Sequence, residues 1–170
     1  LSILKELAIK DKALKVVGLS SHFGHQMQLL AGIDHAEGDV LIMMDSDLQH
    51  PPSVIPKLLA EYEKGNDVVY TIRTKPSDQS FYRTWSSGIF YWFLNKIYDV
   101  RINSNAADFR LISKRVAKIL RDDIRERNLF LRGLVPWIGF NQSGVVFTAH
   151  PRRAGKSKYS LSRLITFGLS

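Results

Sequence analysis

The run Val40-Leu41-Ile42-Met43-Met44 carries no polar side chain and ends on Asp45-Ser46-Asp47, and Pro51-Pro52 follows closely. A short apolar run bounded by breakers reads as a strand buried on both faces, as in a parallel sheet. In open α/β sheets, ligands bind just beyond the carboxyl ends of the strands. The two carboxylates, spaced i, i+2, therefore stand where a ligand is expected. On a turn they can hold a hard divalent cation, Mg²⁺ or Mn²⁺, that also bridges phosphate oxygens. The alternative is that Asp45 caps the turn and Asp47 is simply solvated.

The pattern around this run is an alternation of helix and strand. Residues 2–10 predict a helix with Ile3, Leu4, Leu7 and Ala8 on one face, and residues 14–19 predict a strand. Gly24 opens a helix to about residue 36, with Met27, Leu30, Ala31 and Asp34 on neighbouring turns. After the Asp-ended strand, residues 53–64 predict a helix stopped by Gly65, and residues 67–72 a strand ending at Arg73. Such alternation argues for an α/β fold with a mostly parallel sheet and right-handed crossovers. The chain enters on a helix, which predicts that the first strand of a doubly wound unit is missing and that these residues are part of a longer protein.

At 170 residues the chain suits one domain with a sizeable core. Without cysteine it has neither disulfides nor thiolate metal sites. No apolar run reaches the roughly 18 residues that span a bilayer.

The charge is unevenly placed. Net charge is +8, yet residues 127–170 contain no Asp or Glu and carry Arg127, Arg132, Arg152, Arg153, Lys156, Lys158 and Arg163. An acid-free, base-rich segment attracts anions such as phosphates, nucleic acid or an anionic membrane surface. A solvated basic face would account for the positive residues but not for the complete loss of acids.

Residues 81–98 hold eight aromatics, Phe81, Tyr82, Trp85, Phe90, Tyr91, Trp92, Phe93 and Tyr98, with Arg83 and Lys96 among them. A helix apolar most of the way round is usually buried, and Trp and Tyr also favour a membrane–water interface. Asn105-Ala106-Ala107-Asp108-Phe109-Arg110 precedes the apolar run Leu111-Ile112. Asp108 and Arg110 read either as an internal ion pair or as a carboxylate at a reaction centre. Arg152-Arg153-Ala154-Gly155-Lys156-Ser157-Lys158-Tyr159 has the chemistry of a phosphate clamp, with a glycine that permits close backbone approach. His22 and His25 lack a third ligand at metal-site spacing. With His35, His50 and His150 they read as structural or surface residues.

Taken together, these motifs resemble family 2 glycosyltransferases of the type that glycosylate polyprenyl phosphates, such as dolichyl-phosphate mannose synthases and undecaprenyl-phosphate glucosyltransferases. The resemblance rests on Phe23-Gly24-His25, Ala31-Gly32-Ile33-Asp34-His35-Ala36-Glu37-Gly38-Asp39 and Asp45-Ser46-Asp47-Leu48-Gln49-His50-Pro51-Pro52. It continues through Asp67-Val68-Val69-Tyr70, Asp108-Phe109-Arg110-Leu111-Ile112-Ser113, Phe130-Leu131-Arg132-Gly133, Trp137-Ile138-Gly139-Phe140 and Arg153-Ala154-Gly155-Lys156-Ser157-Lys158-Tyr159.

The resemblance implies a GT-A (Rossmann-like) fold, a nucleotide-sugar donor (UDP- or GDP-sugar), a divalent cation and a polyprenyl phosphate acceptor at the cytoplasmic face of a membrane. Residue by residue, it implies that Asp45 and Asp47 hold the metal and that Gln49 makes a further metal or phosphate contact. Arg73 and Arg83 would face the donor or acceptor phosphates. Asp108 would be the reaction-centre carboxylate, and Arg153, Ser157 and Lys158 a phosphate-binding loop.

The chain departs from the family pattern where relatives read Ser-Arg-Asn-Phe-Gly and this sequence has Ser20-Ser21-His22-Phe23-Gly24. The family's opening nucleotide-binding strand and its trailing membrane helices are also absent, which predicts a catalytic-domain fragment over residues 1–170. Two rival classes are a non-catalytic nucleotide-sugar or phosphate-binding module of the same fold and a basic nucleic-acid-binding domain. Against the second, the aromatic and basic residues occupy separate stretches and no nucleic-acid motif is visible.

Overall fold

The computed structural model describes residues 2–74, 106–124 and 131–149. The aromatic segment with Arg83, and the basic loop with Arg153, Ser157 and Lys158, lie outside the described residues.

In chain order the elements are α1 (Ser2–Lys10), α2 (His25–His35), β1 (Val40–Met43), a 3₁₀ turn (Pro52–Val54) leading into α3 (Ile55–Glu63), and β2 (Val68–Arg73). Then come β3 (Ala106–Ser113), α4 (Lys114–Asp122), α5 (Leu131–Trp137) and β4 (Gln142–Phe147). The four strands form one sheet in the order β1-β3-β2-β4. β3 pairs antiparallel with both β1 and β2, while β2 and β4 pair in parallel. Three of the four strands thus point the same way and β3 runs against them, giving a mixed α/β sheet. One consequence fixes the site: the carboxyl ends of β1, β2 and β4 share an edge of the sheet with the amino end of β3.

Helices cover both faces, which is why the strands read as continuous apolar runs rather than alternating ones. On one face Leu41, Met43, Val68 and Ile112 pack with Ile33 of α2, Val116, Ala117 and Leu120 of α4, and Leu131 and Val135 of α5. On the other, Val69, Phe109, Leu111 and Phe147 pack with Val54 and with Leu58 of α3. Adjacent residues such as Val68 and Val69 therefore serve opposite cores, each fully buried.

β3 passes directly into α4. Ser113 caps that helix, its hydroxyl accepting the N–H of Val116, and the same hydroxyl donates to Asp67 at 2.9 Å. Asp67 also holds the guanidinium of Arg115 through both carboxylate oxygens. One buried carboxylate thus fastens the start of β2 to the start of α4.

The predicted helices over 2–10, 24–36 and 53–64 are present as α1, α2 and the 3₁₀–α3 unit, and the strand ending at Arg73 is present as β2. The strand predicted at residues 14–19 is not formed. A strand exists only as part of a hydrogen-bonded ladder, and nothing among the described residues pairs with this segment. Its Leu14, Val17 and Leu19 are each more than a third exposed.

Candidate functional site

β1 ends at Met43, paired with Arg110 of β3. Two residues past Met43, in the loop that follows β1, stands Asp45, and two residues back from Arg110 along β3 stands Asp108. Both carboxylates thus lie at the same end of the sheet. The ladder between β2 and β3 is irregular at the same place: Tyr70 pairs with Arg110, but Ile72 pairs with Ala106. Between these pairs one residue of β2, Thr71, stands opposite three of β3, residues 107–109, and Asp108 lies inside that irregularity. Bulges of this kind re-aim a side chain at the rim of a sheet. The fully buried Thr71 donates from Oγ1 to the Phe109 carbonyl at 2.8 Å, satisfying an acceptor that the interrupted ladder would otherwise strand.

The loop after β1 is closed on itself. The Asp45 N–H donates to Nδ1 of His50 at 3.0 Å, and the Gln49 N–H donates to Oδ1 of Asp47 at 3.1 Å. His50 is buried, stacked on Phe109 with ring centroids 5.0 Å apart and edge-on to Phe147 at 5.9 Å. With Nδ1 an acceptor, the neutral ring carries its proton on Nε2, which faces Oδ2 of Asp45 at 3.8 Å. Burial is the strongest influence on this imidazole and pushes its pKa below the usual value, against the opposing pull of Asp45 and Asp47. Leu48 takes φ 63° to complete the loop, a left-handed conformation unusual for a branched residue.

Arg73, the last residue of β2, reaches this loop and donates from Nη2 to Oε1 of Gln49 at 3.1 Å. Its Nε–H is buried and has no hydrogen-bond partner among the described residues.

Asp108 is largely buried, its side chain 14% exposed. Oδ1 faces Nη2 of the buried Arg110 at 3.5 Å, so the ion pair allowed by the sequence is present. Oδ2 faces Nε2 of His25 at 3.6 Å, and the same nitrogen is 3.7 Å from Oδ1 of Asp45. His25 is the first residue of α2, following Gly24 at φ 88°, and its side chain is 45% exposed.

The structure therefore brings together Asp45, Asp47, Gln49, Arg73 and Asp108. To these it adds two histidines that the sequence had set aside. For His50 the structural reading stands. His25 lies between the two carboxylates, and the signal that could have found it is its place directly after a glycine that opens a helix.

Among the described residues, no group of three or more His, Asp or Glu side chains is arranged to hold a metal ion. Two carboxylates on one turn leave most coordination positions to oxygens from elsewhere. That donor set suits a cation such as Mg²⁺, which is commonly held by one or two carboxylates together with substrate phosphates.

Comparison with known proteins shows the family of the chain. A family model described as glycosyl transferase family 2 matches residues 1–135. The uncharacterized glycosyltransferase YkcC of Bacillus subtilis (strain 168) is 34% identical over 169 residues, covering 99% of this chain and 52% of that protein. The uncharacterized glycosyltransferase sll0501 of Synechocystis sp. is 33% identical over 159 residues, covering 94% and 50%. A bactoprenol glucosyl transferase of Shigella phage SfV is 36% identical over 159 residues, covering 94% and 52%. The chain spans about half the length of these relatives.

Proposed function

The chain belongs to glycosyltransferase family 2 and has the GT-A architecture of that family, and from that premise we propose that it transfers a sugar from a UDP- or GDP-sugar to a polyprenyl phosphate. In this reading the reaction depends on a divalent cation, inverts the anomeric centre and takes place at the cytoplasmic face of a membrane. In the same reading the chain corresponds to the catalytic portion of its relatives, about half of whose length it spans. The phage relative's designation as a bactoprenol glucosyl transferase supports a polyprenyl carrier as acceptor. The observation that carries the proposal is the meeting of Asp45 and Asp108 beyond the last β1–β3 pair, at the edge of the sheet where α/β folds bind ligands.

In the transfer, an oxygen of the acceptor phosphate attacks the anomeric carbon. The bond from that carbon to the diphosphate breaks, and the nucleoside diphosphate departs with the electron pair. A phosphate is already ionised at neutral pH, so no strong general base is needed. Asp108, held by Arg110, would orient the sugar and the incoming acceptor. Asp45 and Asp47 would hold the cation, which when bound offsets charge building on the leaving diphosphate. Gln49 and Arg73 would meet the donor diphosphate, toward which the buried Nε–H of Arg73, without an acceptor among the described residues, would donate. Arg83, Arg153, Ser157 and Lys158 would supply further phosphate contacts.

The test is a transfer assay on the full-length gene product, using UDP-glucose, Mn²⁺ and undecaprenyl phosphate in vesicles, with calorimetric titration of UDP and GDP in parallel. Formation of a glucosyl lipid, lost on chelation, supports the reading. Metal-independent nucleotide binding without transfer would sink it.

A further inference from the structure

Five side chains at the carboxyl edge of the sheet form an unbroken alternation of nitrogen and carboxylate oxygen. Nη2 of Arg110 faces Oδ1 of Asp108 at 3.5 Å, and Oδ2 of Asp108 faces Nε2 of His25 at 3.6 Å. Nε2 of His25 faces Oδ1 of Asp45 at 3.7 Å, and Oδ2 of Asp45 faces Nε2 of His50 at 3.8 Å. Arg110 and His50, at the two ends, are buried. His25, in the middle, is the half-exposed member.

Resting on the reading above, we propose that His25 is a positioning residue for the transfer step, its imidazole bridging Asp45 and Asp108 and fixing the reaction-centre carboxylate relative to the diphosphate end of the site. One carboxylate comes from the loop after β1 and the other from β3, and like charges at one end of the sheet repel each other. A ring nitrogen between them replaces that repulsion with a shared partner.

The helix that carries the ring is well held. α2 is pinned at its start, where Oε1 of Gln26 accepts the Leu131 N–H at 3.1 Å. It is pinned at its end, where Nη2 of Arg121 donates to the carbonyls of Ile33 and Ala36 at 2.6 and 2.7 Å. Leu30 and Ile33 bury the helix against the core. Such a helix fixes the Cα from which the imidazole reaches both carboxylates, and a stiff support of that kind favours a defined carboxylate–imidazole geometry. The distances exceed those of a good hydrogen bond, as is common for catalytic contacts that tighten only with substrate in place.

The experiment compares wild type, His25→Phe and His25→Gln in the full-length gene product. Phe keeps a ring and removes the donor, whereas Gln keeps a donor of similar reach. Transfer from UDP-glucose to undecaprenyl phosphate gives kcat and KM, and calorimetry gives the Kd of UDP with Mn²⁺. His25→Phe is expected to lower kcat by about 10- to 100-fold, while KM for UDP-glucose and the UDP Kd stay within about threefold. His25→Gln is expected to recover most of the loss. Wild-type kcat in the Phe variant would overturn the inference, as would a loss of UDP affinity equal to the loss of rate, or no recovery by Gln. If wild type itself makes no glucosyl lipid, the proposed function fails first, and the inference resting on it falls with it.

Discussion

The backbone N–H of Asp45 donates to Nδ1 of His50, five residues on, and this one bond at 3.0 Å closes the loop that presents the candidate metal carboxylates. The ring that accepts it packs into the core, stacked on Phe109 and edge-on to Phe147. Loop geometry and sheet packing are therefore joined through a single imidazole.

Replacing His50 by Ala would remove a buried ring and strand the Asp45 N–H. Large-to-small core substitutions and unsatisfied buried donors each carry a cost, so His50→Ala should destabilise by about 3–5 kcal/mol. His50→Asn, which retains an acceptor near the Nδ1 position, should cost less. Urea midpoints of the two variants against wild type measure the difference, and equal midpoints would show that the hydrogen bond contributes nothing.

Asp67 makes stability depend on acid. The Arg115 guanidinium, aided by the Ser113 hydroxyl, holds its carboxyl below the usual range, although burial pulls the other way. The unfolded chain, with its ordinary carboxylate pKa of about 3.9, takes up the proton first as pH falls. The contribution of Asp67 is thus fully present above about pH 4 and is lost as pH drops through the lower folded value. Asp67→Asn should be less stable than wild type at pH 7 by about 1–3 kcal/mol and should show a shallower loss of stability below pH 4. Parallel urea titrations from pH 7 to pH 2 give both numbers, and an unchanged acid slope would remove Asp67 from the account.

Leu48 spends backbone energy without burying its side chain, since it sits at φ 63° and is 59% exposed. A left-handed conformation costs a non-glycine residue about 1–2 kcal/mol, and glycine avoids that cost while gaining freedom in the unfolded chain. Leu48→Gly should therefore leave stability unchanged or raise it by up to about 1 kcal/mol. A clear loss in thermal or urea unfolding would mean that the Leu48 side chain makes a contact worth more than the strain.

The two ends of the site should separate kinetically. Asp47→Ala is expected to abolish Mn²⁺-dependent UDP binding by calorimetry, a drop of at least about 100-fold in affinity. Asp108→Asn keeps the shape but not the charge. It should lower kcat by about 100-fold, the scale of a lost positioning contact, and leave UDP binding within a few-fold. Loss of UDP binding in both variants would mean that Asp108 belongs to the donor pocket.

Much of this was legible in the chain. The apolar run through Met44 and the carboxylates after it marked the end of a strand. Helix starts and stops at Gly24 and Gly65 were read close to where α2 begins and α3 ends. Those features are local, set by residue type and spacing within a few turns. Residues 14–19 show the limit, because an apolar, β-branched segment becomes a strand only if another strand's backbone lies beside it.

The sequence by itself determined which groups were available: Asp45, Asp47, Gln49, Arg73 and Asp108, the helices that carry the core, and the absence of cysteine. Only the tertiary structure decided their neighbours. The antiparallel register of β1 against β3 brings Asp45 and Asp108 to one end of the sheet across 63 positions of chain, and α2 sets His25 within reach of both. A strand's register is a relation between two distant segments, fixed by the burial of both faces at once. No spacing within either segment records it, which is why His25 looked like a surface histidine until β3 was folded beside β1.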